Sequence, residues 1–255
     1  MTWTGGSFGA HAVCVLAPNP GIMTLDGTNT WILRADAEGR SVVIDPGPLH
    51  DAHLRRVADQ AGDVSAVLLT HGHLDHSEGA RWFAEYVGCG VRALDPAHVL
   101  GDEGLADGDV VSVAGLEIRV VGTPGHSSDS LSFVVPDDRA VLTGDTVLGR
   151  GTTVVAHPDG KLGAYLDSLD RLHRLAEAQQ VDTVWPGHGP VIDDALAILD
   201  HYLAHRAERL EQVRAAVAAG ATTPREVVER VYTDVDEVLW PAAELSVRAQ
   251  LDYLA

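Results

Sequence analysis

The chain has 255 residues, of which 45% are hydrophobic and 22% charged, and its 18 basic and 37 acidic side chains give a formal net charge of −19. Such acidity argues against general electrostatic binding to nucleic acid, because non-specific affinity for a phosphate backbone comes from lysine and arginine. No apolar run approaches the ~20 residues that span a bilayer, and the N-terminus lacks the basic start of a secretion signal, so we expect a cytoplasmic protein without a membrane partner.

Up to about residue 190, short runs of β-branched residues alternate with turn residues and helical patterns. The runs predict strands at 11–16, 29–34, 41–45, 66–70, 110–113, 117–121, 130–135, 140–143 and 183–185. Helical periodicity predicts helices at 53–60, 79–86 and 161–179. Because some strands follow one another directly and others are separated by helices, we expect an α/β sandwich that contains mixed sheets.

The pattern changes after residue 190, where strand signals almost disappear. A long helix is predicted at about 194–219, a second begins at Thr222 or Thr223 ahead of Pro224, and a third covers about 242–254. We therefore divide the chain into a catalytic domain, 1–192, and a C-terminal helical domain, 193–255. Three such helices either form a cap that packs on the main domain or resemble a helix-turn-helix core, and we favour the cap.

One short segment concentrates groups that bind metals. His71, His73, Asp75 and His76 follow directly on the apolar run 66–69, at the exit of a predicted buried strand. Imidazole and carboxylate are the ligands that borderline divalent cations prefer, and loops held by a rigid scaffold commonly carry such sites. The chain holds 13 histidines beside its excess of acids, so a metal site fits the composition as well.

Three further candidates lie downstream, each after a predicted strand and beside a glycine that gives the backbone freedom to turn. His126 lies in a Thr-Pro-Gly-His turn, Asp145 in Thr-Gly-Asp-Thr, and His188 in Pro-Gly-His-Gly. Together with the first cluster they make five histidines and two aspartates. This number of donors fits two metals that share one carboxylate and a solvent oxygen, whereas a single metal would leave several donors unused.

The motifs HxHxDH, TPGH, GD and PGHG, in this order over residues 11–192, resemble the signature of metallo-β-lactamase-fold hydrolases. The resemblance implies a four-layer αββα sandwich and a dinuclear zinc centre, with manganese or iron as alternative metals. The resemblance also implies the ligands: His71, His73 and His126 hold the first zinc, and Asp75, His76 and His188 hold the second. Asp145 would bridge the two. Asp45 matches the aspartate that orients a ligand imidazole from behind.

A dinuclear zinc centre implies hydrolysis of an ester-type bond. Two divalent ions ~3.5–4 Å apart hold a hydroxide between them and polarise the scissile carbonyl or phosphoryl oxygen. Zinc lowers the pKa of bound water to about 7, so the nucleophile forms without a strong base. Asp75 is our candidate catalytic carboxylate, and Asn29 and His157 are candidate residues of the substrate cleft.

Segments 19–30 and 142–154 resemble the beta-lactamase-like protein 2 group, which includes an endoribonuclease for single-stranded RNA and has thioesterases among its relatives. The C-terminal region resembles the winged-helix-like domain of that group, but with the wing truncated. It holds six arginines against twelve acidic residues, the reverse of a nucleic-acid-binding tail. Arg206 and Arg209 in this region either meet an anionic substrate or lie on a solvated helix surface, and we favour the surface.

Several functions remain open. Glyoxalase II and other acyl thioesterases share the ligand set, so the partner is either a small anionic ester or thioester or a single-stranded RNA. A β-lactamase and an iron-dependent oxidoreductase are weaker alternatives, and a non-catalytic metal protein would be expected to lack a ligand. Exposed apolar residues in the tail are compatible with a homodimer.

Overall fold

A computed structural model describes residues 2–35, 39–101 and 103–255. Within these residues, two sheets form. The first sheet contains, in spatial order, β1 (Gly5–Phe8), β2 (Ala12–Leu16), β3 (Asn29–Arg34), β4 (Ser41–Ile44), β5 (Val64–Leu68) and β6 (Gly90–Arg92). The second contains β7 (Val110–Val113), β8 (Leu116–Gly122), β9 (Leu131–Val135), β10 (Ala140–Gly144) and β11 (Thr183–Pro186), also in spatial order.

Both sheets are mixed, as the sequence predicts. Strands β1 to β4 pair antiparallel, and β4 to β6 pair parallel. In the second sheet only the β10–β11 pair is parallel. The parallel strands β4 and β5 end at the same edge of the first sheet, and their exit loops carry part of the site described below.

The described helices are α1 (Asp51–Ala61), α2 (Leu74–Ser77), α3 (Ala80–Val87), α4 (Leu162–Gln179), α5 (Ala195–Ala218), α6 (Pro224–Val231) and α7 (Trp240–Leu254). Helix α6 begins where the sequence predicts, because Thr223 and Glu226 form a reciprocal capping box around Pro224 in the first turn. In the described part of the chain, every helix is too short or too polar to cross a membrane.

The main hydrophobic core lies between the two sheets. There the Trp31 ring stacks on that of Trp185, with ring centroids 5.2 Å apart, and joins β3 to β11. A second core packs α1 and α3 against the outer face of the first sheet, and a third packs α4 and the start of α5 against the second sheet. The layers are therefore αββα, which confirms the predicted fold class.

Helix α5 connects this sandwich to the C-terminal helices. Near its beginning, Leu199 and Tyr202 belong to the core under the second sheet. Near its end, Val213 and Ala216 form a fourth core with residues of α6 and α7. The C-terminal helices thus pack on the sandwich as a cap, and the boundary between 192 and 193 stays a prediction.

Three short elements differ from the sequence prediction. Strands β1 and β6 and helix α2 were not predicted, because they are only three or four residues long and two of them contain glycine. The predicted strands 41–45 and 66–70 end earlier, at Ile44 and Leu68. Asp45 instead adopts a positive φ of 50°, which turns the chain out of the sheet directly at the site.

Candidate metal centre

The seven side chains singled out in the sequence converge on one end of the sandwich, although they come from four separate loops. The loop after β5 and helix α2 supply His71, His73, Asp75 and His76; the loops after β8, β10 and β11 supply the others. The donor atoms fall into groups whose members lie within 4.8 Å of one another: His71, His73 and His126; His71, His76 and Asp145; and Asp75, His76 and His188.

The first group is three imidazoles with ring nitrogens in close contact. Nε2 of His71 and Nε2 of His126 lie 3.0 and 3.1 Å from Nδ1 of His73. The other nitrogen of His126, Nδ1, donates to the Val154 carbonyl at 2.8 Å. Nε2 is then unprotonated, and its lone pair faces the cluster. Burial lowers the pKa of His126 and, together with His76, lowers that of His71 well below the usual range. Lone pairs this close repel one another unless a cation lies among them, so the donor set fits a metal ion.

The protonation of His71 follows from the hydrogen bonds behind it. The Thr70 hydroxyl donates to Oδ2 of Asp45 at 2.6 Å, so the same hydroxyl accepts from Nδ1 of His71 at 3.0 Å. Nε2 of His71 is then the unprotonated nitrogen that faces the cluster. His73 is the exposed member of the group, so the site opens to solvent on its side.

The second group combines two imidazoles with a carboxylate. Nε2 of His76 lies 3.2 Å from Nε2 of His188, which in turn lies 3.1 Å from Oδ2 of Asp75. The outer nitrogens are held from behind: Nδ1 of His76 bonds Asp45 at 2.8 Å, and Nδ1 of His188 bonds the Gly27 carbonyl at 3.1 Å. This again leaves both Nε2 atoms directed at one point, as ligands of a second cation require.

Asp145 lies between the two groups. Its Oδ2 is 3.4 Å from Nε2 of His188 and 3.8 Å from Nε2 of His126, and its Oδ1 is 3.4 Å from Nε2 of His76. Oδ1 is buried and has no hydrogen-bond partner among the described residues, which is costly for a carboxylate oxygen unless a cation satisfies it. The position fits a carboxylate shared by two metals.

The electrostatics show how strongly this end of the molecule attracts positive charge. Burial opposes ionisation of Asp145, but His188 and His76 outweigh it and hold the pKa of the carboxyl well below its usual range. Burial likewise opposes protonation of the two imidazoles, yet Asp145 raises the pKa of His188 to about 9 and, with Asp45, that of His76 well above its usual value. Protons and divalent cations therefore compete for these same side chains.

Neither candidate cleft residue, Asn29 or His157, lines the cavity beside the metal-binding groups, which corrects that part of the sequence interpretation. Asn29 is fully buried, and its amide donates to the carbonyls of Pro186 and Gly189 at 2.9 and 2.8 Å. It thus holds the loop that carries His188. The imidazole of His157 pairs with Asp252 of α7 at 3.1 Å, so it links the sandwich to the helical cap.

A cavity of about 330 Å³ lies beside the metal cluster, between the sandwich and the C-terminal helices. His126 and Asp145 form part of its wall, and most of the remaining wall is apolar. Arg206 also lines it and is only 5% exposed, so our interpretation of this residue as solvated helix surface is wrong. The sequence offered no signal for this burial, because it depends on how α5 packs against the segment around Thr153.

Comparison with known families agrees with this arrangement. The model of the metallo-beta-lactamase superfamily matches residues 23–188, a range that contains all seven converging side chains. The chain belongs to the metallo-beta-lactamase superfamily. A second family model, of the beta-lactamase associated winged helix domain, matches residues 223–255, which include α6 and α7.

Curated relatives place the chain among metal-dependent hydrolases of this superfamily. It is 35% identical over 243 residues to the atrochrysone carboxyl ACP thioesterase of Aspergillus fumigatus, covering 87% of this chain and 73% of that protein. It is 31% identical over 274 residues to the beta-lactamase-like protein 2 homolog of Drosophila melanogaster, covering 96% of this chain and 88% of that protein.

Solved structures of the superfamily share the fold. A beta-lactamase domain protein from Burkholderia ambifaria superposes with a TM-score of 0.82 at 24% identity, covering 98% of this chain and 87% of that chain. The protein TTHA1429 from Thermus thermophilus gives 0.79 at 22% identity, covering 96% and 93%. Both matches extend over the helical cap as well as the αββα sandwich.

Proposed function

We propose that the chain is a thioesterase that uses two divalent cations, with zinc as the expected metal and manganese or iron as alternatives. The observation that carries this proposal is that the Asp145 carboxylate approaches ligands of both metal-binding groups in the wall of a partly open, mostly apolar cavity. Such a cavity suits the carbon part of a small substrate. The relative that is a thioesterase at 35% identity supports the same substrate class.

The ligand roles follow the grouping of the donor atoms. One cation would be held by His71, His73 and His126, the other by Asp75, His76 and His188, and Asp145 would contact both. When bound, the cations would supply Lewis acidity, which lowers the pKa of a water to about 7 and polarises the scissile carbonyl. The remaining chemistry belongs to the side chains of the chain itself.

Asp75 is the proposed proton acceptor. Its Oδ2 lies 3.1 Å from Nε2 of His188, and its side chain is partly exposed at the open side of the cluster. Burial tends to raise the pKa of this carboxyl, but the hydrogen bond from His188 and the charge of His76 lower it overall, so the carboxylate is ionised at neutral pH. The other oxygen, Oδ1, would take the proton of the attacking water.

Single-stranded RNA is the second candidate substrate, because the chain resembles the beta-lactamase-like protein 2 group along most of its length. The charge of −19 and the small, mostly apolar cavity favour the small thioester over a polyanion. We keep the catalytic domain at 1–192, the helical domain at 193–255 and a cytoplasmic location as part of the same proposal.

The test uses purified protein loaded with two equivalents of zinc or manganese. It is assayed in parallel on a panel of acyl-thioesters, a short single-stranded RNA and a chromogenic β-lactam. We expect thioester hydrolysis, and we expect it to vanish in His73→Ala and Asp145→Ala but to persist in His11→Ala, a histidine remote from the cluster. Cleavage of RNA alone, or activity that survives in either ligand variant, would overturn the proposal.

A further inference from the structure

Arg206 is a buried cation in the wall of the cavity beside the metal cluster. The residue is 5% exposed, and its guanidinium lies over the ring of Tyr165, 4.9 Å from the centroid. One nitrogen, Nη2, donates to the Thr153 carbonyl. Arginine is rarely buried to this extent unless it is paired with an acid. The surroundings of this side chain therefore call for an explanation.

No acidic partner is found for Arg206 in the described part of the chain. Its Nε is buried without a hydrogen-bond partner, and no carboxylate oxygen of the described residues forms an ion pair with it within 4.0 Å. The guanidinium has five N–H donors, and its hydrogen bond to Thr153 leaves the buried Nε donor without a partner. A buried charge in this condition is unfavourable, and an anionic ligand would offset that penalty.

The neighbouring Arg209 provides a contrast on the same helix. Its guanidinium lies 4.3 Å from the centroid of the Tyr232 ring, donates to the Val231 carbonyl at 2.6 Å and faces Asp234 at 3.9 Å. Arg209 is thus satisfied by α6 and the turn that follows it. The third arginine of the cavity wall, Arg150, pairs with Asp26 at 2.5 Å, so Arg206 is the one of the three without a balancing acid.

The rest of the wall limits the kind of anion that fits. The cavity of about 330 Å³ is near the lower end of the ~300–1,000 Å³ typical of small-molecule sites. Apolar side chains from the cap and from the sandwich, among them Leu148, Val154, Val235 and Leu239, form much of its lining. A planar guanidinium set in an apolar wall matches the planar carboxylate of a carbon-rich group.

We propose that Arg206 binds a carboxylate carried by the acyl group of the substrate. This inference rests on the proposed thioesterase function. The thioester carbonyl lies at the end of the cavity formed by His126 and Asp145, the carbon skeleton lies along the apolar wall, and the distal carboxylate pairs with the guanidinium. The chain therefore prefers thioesters of dicarboxylic acids to those of neutral acids.

The experiment compares acyl-thioesters that differ only in the distal group. Glutaryl and 4-carboxybenzoyl thioesters of N-acetylcysteamine are paired with their carboxamide counterparts, which have the same shape without the charge. For the zinc-loaded wild type we expect kcat/KM to be at least about tenfold higher for the carboxylate of a pair. In Arg206→Gln we expect this ratio to fall to about one, because the distal carboxylate loses its partner.

Two further variants separate binding from folding and from net charge. Arg206→Lys keeps the positive charge but lacks the planar guanidinium that can bind both oxygens of a carboxylate. It should therefore retain part of the preference for the carboxylate substrates. Arg214→Gln removes an exposed arginine from the same helix and should keep the full ratio. If Arg206→Gln fails to fold, the wild-type ratio and the lysine variant still decide the question. A wild-type ratio of about one, or an unchanged ratio in folded Arg206→Gln, would overturn the assignment.

A binding measurement separates this inference from the proposed function. Calorimetry with a non-hydrolysable thioether analogue of the glutaryl substrate reports the subsite whether or not hydrolysis occurs. We expect the analogue to bind the zinc-loaded wild type and Arg214→Gln alike and to bind Arg206→Gln at least tenfold more weakly. Binding without turnover of any thioester would count against the proposed function alone, whereas RNA cleavage that depends on Arg206 without carboxylate preference would overturn the subsite.

Discussion

Oδ2 of Asp45 lies 2.8 Å from Nδ1 of His76. The same carboxylate accepts from the backbone N–H and the hydroxyl of Thr70, at 2.8 and 2.6 Å, and through that hydroxyl it also fixes the His71 ring. One buried aspartate thus orients an imidazole in each of the two metal-binding groups. Its positive φ of 50° is a strained conformation for a residue other than glycine, held in place by these bonds.

We predict that Asp45→Asn weakens metal binding by about 10–100-fold. Asparagine tolerates the positive φ, but its amide would place an N–H either against Nδ1–H of His76 and the Thr70 hydroxyl or against the backbone N–H of Thr70. Competition between the protein and a chelating dye for zinc measures the change in affinity. Asp63→Asn, at an exposed aspartate paired with Arg40, is the control. Wild-type affinity in Asp45→Asn would show that the carboxylate has no part in orienting the ligands.

A second prediction concerns the close approach of Gly187 to the cluster. A Cβ at this residue would lie 2.6 Å from Oδ1 of Asp145 and 2.8 Å from Cε1 of His76, both too close for normal contact. Gly187→Ala should therefore displace these ligands, cost the protein one of its two cations and lower kcat/KM at least about 100-fold.

Elemental analysis and thioester kinetics on the same samples check this result. Gly163→Ala serves as the matched control, because its Cβ meets only the Tyr253 ring at an ordinary distance of 3.4 Å and lies within helix α4. Two cations retained by Gly187→Ala, with normal kinetics, would mean that the loop after β11 is more adaptable than this packing indicates.

A third prediction concerns stability in acid. His53 is buried, and its Nε2 lies 3.0 Å from the Thr30 hydroxyl and 3.1 Å from the Pro46 carbonyl. Burial and the nearby charge of Arg56 lower the pKa of His53 to about 4, against 6.5 as its ordinary value. Between these two pH values the unfolded chain binds more protons at His53 than the folded chain does. The free energy of unfolding therefore rises with pH over this range and decreases as the pH falls.

The full effect on the free energy of unfolding amounts to about 3 kcal/mol. We expect urea denaturation with a chelator present to show wild type losing up to this amount, relative to His53→Gln, as the pH falls from about 6.5 to about 4. Contributions of the histidine cluster cancel in the comparison, because both proteins contain it. Parallel curves for the two proteins across this range would contradict the assignment to His53.

The local part of the site could be predicted from sequence, and the long-range part could not. Each of the seven donors follows a strand and lies beside a turn residue, which are patterns that neighbours in the chain create. The role of Asn29 depends on carbonyls some 160 residues away in sequence, and the burial of Arg206 depends on how α5 packs on the sandwich. No local pattern encodes such contacts, so the sequence alone favours the cleft for Asn29 and the surface for Arg206.

The same reasoning explains the fold. Strands with β-branched runs and helices with clear periodicity were predicted with small errors at their ends. The short edge strand β1 forms through pairing with β2, and β6 through pairing with β5, rather than through its own residues. Pairing of this kind is a property of the assembled sheet.

The most direct test of two cations acting together is a titration of metal-free protein with zinc, followed by thioester hydrolysis at each step. Because Asp145 approaches ligands of both groups, we predict that activity stays low until the first equivalent is bound and reaches its plateau at two. His188→Ala should bind one cation and remain inactive at every ratio. Full activity at one equivalent, or hydrolysis that does not respond to zinc, would contradict the account.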